Sequence, residues 1–236
     1  MDVNIFQRYE IKYLVDSRQR ALLEQAFRER MRPDEHGEST VCNIYYDTPD
    51  FRLIRASLEK PVYKEKLRMR SYGRVRPEGA VFLELKKKYK GVVYKRRLSL
   101  SQWEAANYMA GRVALTEDSQ IGREIDWFRD YYESLRPAVY LCYDRAAYFS
   151  AEDPNLRATF DRCICWRQED MSLCAPAGGQ QLLLPHQSLL EIKTATAIPL
   201  WLVELLERGG IRQASFSKYG EAYLKMLQER TGVISA

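Results

Sequence analysis

Apolar and polar residues alternate along much of this chain. Because successive side chains leave a β-strand on opposite faces, such alternation predicts half-buried strands. They fall at Gln7 to Leu14, Cys42 to Asp47, Val62 to Tyr72, Ala80 to Tyr89, Val92 to Leu100, Ala138 to Ser150, Leu156 to Trp166 and Gln187 to Thr194. Lys90-Gly91 reads as a tight hairpin, and Ser71-Tyr72-Gly73 with Pro77-Glu78-Gly79 marks a looser turn. Ala175 to Gly179 is a further loop. Helix signals are fewer. Asp16 with Gln19 opens Arg18 to Arg30, and a Ser101/Glu104 capping box precedes Ala105 to Met109. Another helix covers Ile121 to Leu135, Pro199 and Gly209-Gly210 bracket Leu200 to Arg208, and Ser217 can cap a last helix through Leu227. Eight strands suffice to close a barrel, with the helices covering its outside.

Reading every second residue separates the two faces of each strand. Lys64, Lys66, Arg68 and Arg70 share one face, as do Glu84, Lys86 and Lys88. Arg8, Glu10 and Lys12 oppose Tyr9, Ile11 and Tyr13, while Glu191 and Lys193 oppose Leu190 and Ile192. Arg157, Thr159 and Asp161 oppose Ala158, Phe160 and Arg162. Two readings stay open here. A sheet with its apolar face on a core and its charged face in water would show this pattern. So would an enclosed polar lumen, which the mixture of acids and bases at every-second spacing suits, because it supplies both metal ligands and anion donors. Buried cations are costly unless paired, so such a lumen would be wet and would concentrate a polyanion. Arginine forks beside mobile lysine charges fit a chain of phosphates better than a single carboxylate.

Composition narrows the class. With 236 residues, 46% hydrophobic and 29% charged, the chain has an ordinary globular balance, and its length suits one domain over 1–236. No basic start followed by an apolar run, and no stretch of about eighteen apolar residues, suggests a leader or a membrane span, so a cytoplasmic, non-integral protein is expected. Cys42, Cys142, Cys163, Cys165 and Cys174 form no CxxC pair and read as buried, reduced thiols. His36 and His186 alone make histidine-based zinc chemistry or a Ser-His triad a poor fit. A net charge of +5 and a pI near 8.9 agree with an anionic partner.

The ordered set Glu10-Ile11-Lys12-Tyr13, Tyr45-Tyr46-Asp47-Thr48, Lys66-Leu67-Arg68-Met69-Arg70, Glu84-Leu85-Lys86, Lys95-Arg96-Arg97, Asp144-Arg145, Leu190-Glu191-Ile192-Lys193 and Phe216-Ser217-Lys218-Tyr219 spans residues 6 to 225. It resembles the catalytic domain of the VTC family of polyphosphate polymerases, which belong with the CYTH proteins to the triphosphate tunnel metalloenzymes. The resemblance implies a mainly β fold with α, an eight-stranded antiparallel tunnel barrel with a polar lumen. It implies binding of the triphosphate of ATP with Mn2+ or Mg2+, and transfer of the terminal phosphoryl group onto polyphosphate. Lys66, Arg68, Arg70, Lys86, Arg145 and Lys193 would serve the reaction, and Lys12, Lys88, Lys95, Arg97, Arg157 and Lys218 would hold phosphate. Glu191 would ligate the metal with Glu10 as helper. CYTH hydrolases open with two carboxylates and a lysine on one strand face, whereas here Glu10 and Lys12 stand before Tyr13, which favours the polymerase branch. Membrane helices and the phosphate-sensing domain of the eukaryotic polymerases do not fit in this chain, so membrane recruitment would need a partner.

Two other functions use the same residues: a triphosphatase that passes phosphate to water, and a non-catalytic polyphosphate-binding module. Nucleic acid fits less well, since the aromatic residues lie opposite the basic rows. Tyr45 and Tyr46 read as strand packing, Gly178-Gly179 as a turn without the Lys-Ser/Thr of a P-loop, and Trp103, Trp127, Trp166 and Trp201 as structural cover.

Overall fold

The computed structural model describes residues 9–90 and 92–232. The chain runs β1 (Tyr9–Val15), α1 (Ser17–Arg30), β2 (Met31–Asp47), α2 (Arg52–Leu58), β3 (Tyr63–Tyr72), β4 (Ala80–Tyr89), β5 (Val92–Ser101), α3 (Gln102–Met109), α4 (Gln120–Tyr132), β6 (Arg136–Ser150), β7 (Arg157–Arg167), β8 (Gln180–Gln181), β9 (Ser188–Thr194), α5 (Leu200–Arg208) and α6 (Lys218–Thr231). The strands order as β1-β9-β7-β6-β2-β3-β4-β5, with the short β8 on β7. The mainly antiparallel class is as expected. The barrel is not closed, because among the described residues the hydrogen-bonded path ends at β1 and β5 without joining them.

Two compact units share these strands. One holds the described residues of Met1–Thr40 together with Tyr143–Ile164 and Gln181–Ser217; the other holds Val41–Cys142, Cys165–Gln180 and the described residues of Lys218–Ala236. In the first, α1 and α5 cover the apolar face of β1, β7 and β9, burying Leu23, Phe27, Ala158, Phe160, Leu190, Ile192 and Leu202. Phe27 anchors this core, its ring 5.7 Å from Phe160 and 5.4 Å from Tyr148. The second unit packs α3 and α4 on the odd-numbered residues of β3 and β4, among them Leu67, Met69, Val81, Leu83 and Leu85. The opposite faces of these strands are left to the charged residues.

The helix starts follow local chemistry. Both expected capping boxes form, Asp16 with Gln19 and Ser101 with Glu104. Pro199 sits at the N-cap of α5, and Gly210 beyond its end takes a φ of 61°. β4 and β5 pair from Tyr89↔Val92 to Ala80↔Ser101 as the hairpin required, although Gly91 lies outside the described residues. So do Gln7 and Arg8, the first residues of the predicted opening strand.

Other features depart from the pattern. β2 begins at Met31 rather than Cys42, because Pro33 and the positive-φ Gly37 break the alternation without ending the strand. α2 is unforeseen: its seven residues are capped from a distance by Asp47, whose carboxylate accepts from the N–H groups of Thr48, Leu53 and Ile54. In β7 the non-glycine Cys163 adopts a φ of 49°, and the alternation slips there, so that Ile164, Cys165 and Trp166 are all buried. Cys163 is therefore exposed and Cys174 half-buried, against the expectation of five buried thiols, though none of the five forms a disulfide among the described residues. Trp166 is buried as expected, but Trp103 and Trp127 are 57% and 55% exposed and cover little. Among the described residues no helix is long and apolar enough to cross a membrane.

Asp47 is fully buried and also accepts 2.8 Å from the Tyr219 hydroxyl of α6, so it ties β2, α2 and α6 together. Asp47→Ala would strand those donors without a partner. It is expected to destabilise the protein by about 3 kcal/mol or more, read as a lower urea midpoint, whereas Asp50→Ala at the exposed neighbour should change it little.

Candidate functional site

On the charged face of the second unit, register sets an all-lysine row beside one in which an acid lies between two arginines. Lys66, Lys86 and Lys95 form one row across β3, β4 and β5; Arg68, Glu84 and Arg97 form the next, with Tyr45 of β2 opposite Arg68. Glu84 is the centre. Its carboxylate accepts from Arg68 Nε and Nη2 at 2.8 and 2.6 Å and from Arg97 Nε and Nη2 at 2.9 and 2.6 Å. Lys95 Nζ stands 2.7 Å away and Arg70 Nη1 3.8 Å, while Arg70 Nε donates to Asn43 Oδ1 at 2.9 Å.

A side chain only 1% exposed would ordinarily lose its charge. Burial does oppose the ionised form of Glu84, but Arg68, Arg70 and Lys95 outweigh it and hold the carboxyl well below its usual range. Burial also pulls the Lys95 ammonium down to about 8, against the attraction of Glu84 and with the repulsion of Arg97 and Arg68. The carboxylate thus fixes two guanidinium forks and a lysine that would otherwise repel one another.

An aromatic brace stands beside this row. Tyr45 accepts from Arg68 Nη1 at 3.0 Å and stacks on Tyr219 with ring centroids 4.9 Å apart. Burial would raise the Tyr45 phenol, yet the charges of Arg68, Lys66 and Arg70 bring it down to about 8. Tyr219 behaves oppositely: burial and Asp47 push it far above the ordinary range, which keeps it a donor to Asp47. Tyr45 is therefore more than the strand packing expected of it.

The first unit carries a second group. Lys12 lies opposite Glu191, which lies opposite Thr159; one step along, Glu10 lies opposite Lys193, which lies opposite Arg157. Lys12 Nζ is 3.3 Å from Glu10 and 3.4 Å from Glu191 and donates to the Phe216 carbonyl at 3.0 Å. Arg145 grips Asp161 with Nε and Nη2 at 2.6 and 2.7 Å and approaches Glu191 at 3.8 Å, as does Lys193. Burial opposes the Arg145 charge, but Tyr143, Asp161 and Glu191 hold its proton more firmly than usual.

Of the residues singled out from sequence, Arg68, Arg70, Lys95 and Arg97 therefore gather on Glu84, with Lys66 and Lys86 in the adjoining row. Glu10, Lys12, Arg145, Glu191 and Lys193 gather in the other unit. Lys88 is exposed opposite Lys64, Arg157 is exposed beside Lys193, and Lys218 opens α6 next to Tyr219. The sequence reading assigned no role to Glu84, Asp161 or Tyr219 and only strand packing to Tyr45. For Glu84 the signal was there: it is an acid centred in a cationic row.

No three His, Cys, Asp or Glu side chains gather as a ready metal cage among the described residues. Glu191 and Glu10 do share the Lys12 ammonium, and Mg2+-like ions commonly bind through one or two carboxylates with phosphate oxygens and water completing the shell. The donor set fits an ion that arrives with a phosphate ligand.

A model of the VTC domain matches residues 7–227. No curated protein matches the chain. Among solved structures, a candidate adenylate cyclase from Bacillus halodurans is similar, at 18% identity and a TM-score of 0.54, covering 88% of this chain and 92% of its own. A second candidate adenylate cyclase, from Vibrio parahaemolyticus, matches at 12% identity and a TM-score of 0.48, over 92% of this chain and 97% of its own. The first likeness shows a shared fold.

Glu84 has a testable stability signature. Its folded carboxyl titrates below the ordinary 4.5, so its contribution is complete above that value and is lost as pH falls through and below it. Glu84→Gln should therefore cost about 3 kcal/mol at pH 7 and flatten the acid limb of stability against pH between about 5 and 2, measured by urea unfolding. An unchanged acid limb would contradict the assignment.

Proposed function

Because the chain belongs to the VTC domain family, we propose that it transfers the terminal phosphoryl group of ATP onto a polyphosphate chain. The VTC domain match, and the fold shared with the Bacillus halodurans protein, support a triphosphate tunnel. The observation that carries this function is the Glu84-centred row. Phosphoryl transfer needs little covalent chemistry from a protein and much fixed positive charge around the moving group. Arg68 and Arg97, locked by Glu84, offer fixed positive charge and their remaining N–H groups to non-bridging oxygens. Lys66, Lys86 and Lys95 supply point charges along the next row, and Arg70, steadied by Asn43, adds a further guanidinium.

In the first unit Lys12, Arg145 and Lys193 are proposed to hold phosphate, with Arg157, like Lys88 and Lys218 in the other unit, as an outlying contact. Glu191 and Glu10 would hold Mn2+ or Mg2+, which when bound supplies charge neutralisation between carboxylate and phosphate oxygens. Lys12 and Lys193 would keep these acids ionised and oriented. No general base is required of the side chains, since the attacking group is itself a phosphate oxygen.

The test is to incubate purified protein with ATP and Mn2+ and separate the products on a gel. Long polyphosphate with ADP supports the proposal; orthophosphate alone would replace it with a triphosphatase, and tight ATP binding without turnover with a binding module. Glu191→Gln is expected to lower metal-dependent turnover by on the order of a hundredfold or more while the protein still folds, as a retained cooperative thermal transition would show.

Proton linkage gives an independent check. A polyanion binds better when Lys95 is charged and Tyr45 neutral, and both groups titrate at about 8. Affinity for inorganic tripolyphosphate should therefore fall about tenfold between pH 7 and 9 in calorimetry, and Lys95→Met should blunt that fall. A flat profile would count against the row as the phosphate site.

A further inference from the structure

On the polar face of β7, Thr159 is only 8% exposed, and its Oγ1 is shut from solvent and has no hydrogen-bond partner among the described residues. Burying a hydroxyl unpaired is unfavourable, and such groups in folded proteins usually mark a missing partner. Register shows where that hydroxyl lies. Thr159 stands directly opposite Glu191, which stands opposite Lys12, and the adjoining line is Arg157, Lys193 and Glu10. Two residues along β7, Asp161 is held by Arg145, whose other contact is Glu191. Thr159 thus belongs to the strand face that carries Lys12, Arg145, Arg157 and Lys193.

We propose that the Thr159 hydroxyl donates a hydrogen bond to a phosphate oxygen of a bound triphosphate, beside the cations that share Glu191. The inference rests on the function proposed above and adds to it a neutral donor. Its chemistry suits the setting. Among cations drawn partly onto carboxylates, an incoming phosphate supplies the acceptor that the hydroxyl lacks, and long lysine and arginine side chains can swing to admit it. A hydroxyl with fixed χ1 preferences on a central strand also adds a direction that mobile lysines do not. The apolar face of the same strands is already filled by Ala158, Phe160, Leu190 and Ile192, so packing does not explain a polar group here.

The near-isosteric Thr159→Val removes the donor and little else, while Thr159→Ser restores it. Binding of inorganic tripolyphosphate is measured by calorimetry in EDTA and again with excess Mn2+, and thermal midpoints are recorded without ligand. Thr159→Val is expected to bind about tenfold more weakly in both conditions, with Thr159→Ser close to the unaltered protein. Its unliganded midpoint should rise by about a few degrees, since an unpaired buried hydroxyl has been removed. Equal affinity overturns the proposal, as does a loss confined to Mn2+, which would make the hydroxyl a metal ligand. A lowered midpoint also overturns it, by showing the hydroxyl to be satisfied within the protein. Lys193→Ala separates the two levels of inference: if it weakens binding and Thr159→Val does not, only the role of Thr159 falls. If the unaltered protein does not bind tripolyphosphate, the proposed function falls with it.

Discussion

A carboxylate that is 1% exposed stays ionised only inside a cage of positive charge, and Glu84 is such a group. The dependence runs both ways. Arg68, Arg97 and Lys95 could not crowd one face of the sheet without an anion between them, and their common attachment to Glu84 turns mutual repulsion into fixed geometry. The apolar side of the same strands makes this possible: Leu83 and Leu85 flank Glu84 in sequence and are fully buried under α3 and α4, so β4 cannot roll to let the carboxylate reach water.

The other unit solves the same problem differently. Asp161 is completely buried, and both its oxygens are taken by one bidentate arginine. Glu191 instead has Lys12, Arg145 and Lys193 spaced around it at 3.4 to 3.8 Å. One acid is a permanent anchor for a guanidinium; the other is surrounded by charges that could be redistributed when a phosphate or a cation enters. That contrast is why Glu191, not Asp161, carries the proposed metal role.

Much of this was legible in the sequence because strand alternation is a local property. The rows Lys64 to Arg70 and Glu84 to Lys88 could be read directly, and the structure places them on adjoining strands in register. What could not be read was long-range. Nothing in Asp47-Thr48-Pro49-Asp50 announces that a strand-end aspartate will cap a helix six residues on and meet a tyrosine from α6. The pairing of Arg145 with Asp161 needs the register of β6 against β7, which no local pattern supplies. The slip at Cys163 arises from a backbone conformation that cysteine rarely adopts, so periodicity carried the strand through it unbroken. The open sheet was missed for a related reason: counting strands says nothing about whether the first and last will pair.

The tie between Asp47 and Tyr219 spans 172 residues, and that between Lys12 and the Phe216 carbonyl spans 204. A chain made from its N-terminus at about 5 to 20 residues per second carries Asp47 and Lys12 for many seconds before their partners exist. Through that interval α2 lacks one of the contacts that hold its cap, and Tyr45 lacks the ring it stacks on. Final ordering of both charged groups therefore waits until Phe216 and Tyr219 have been made, and the nascent chain carries its cationic strands before they are braced.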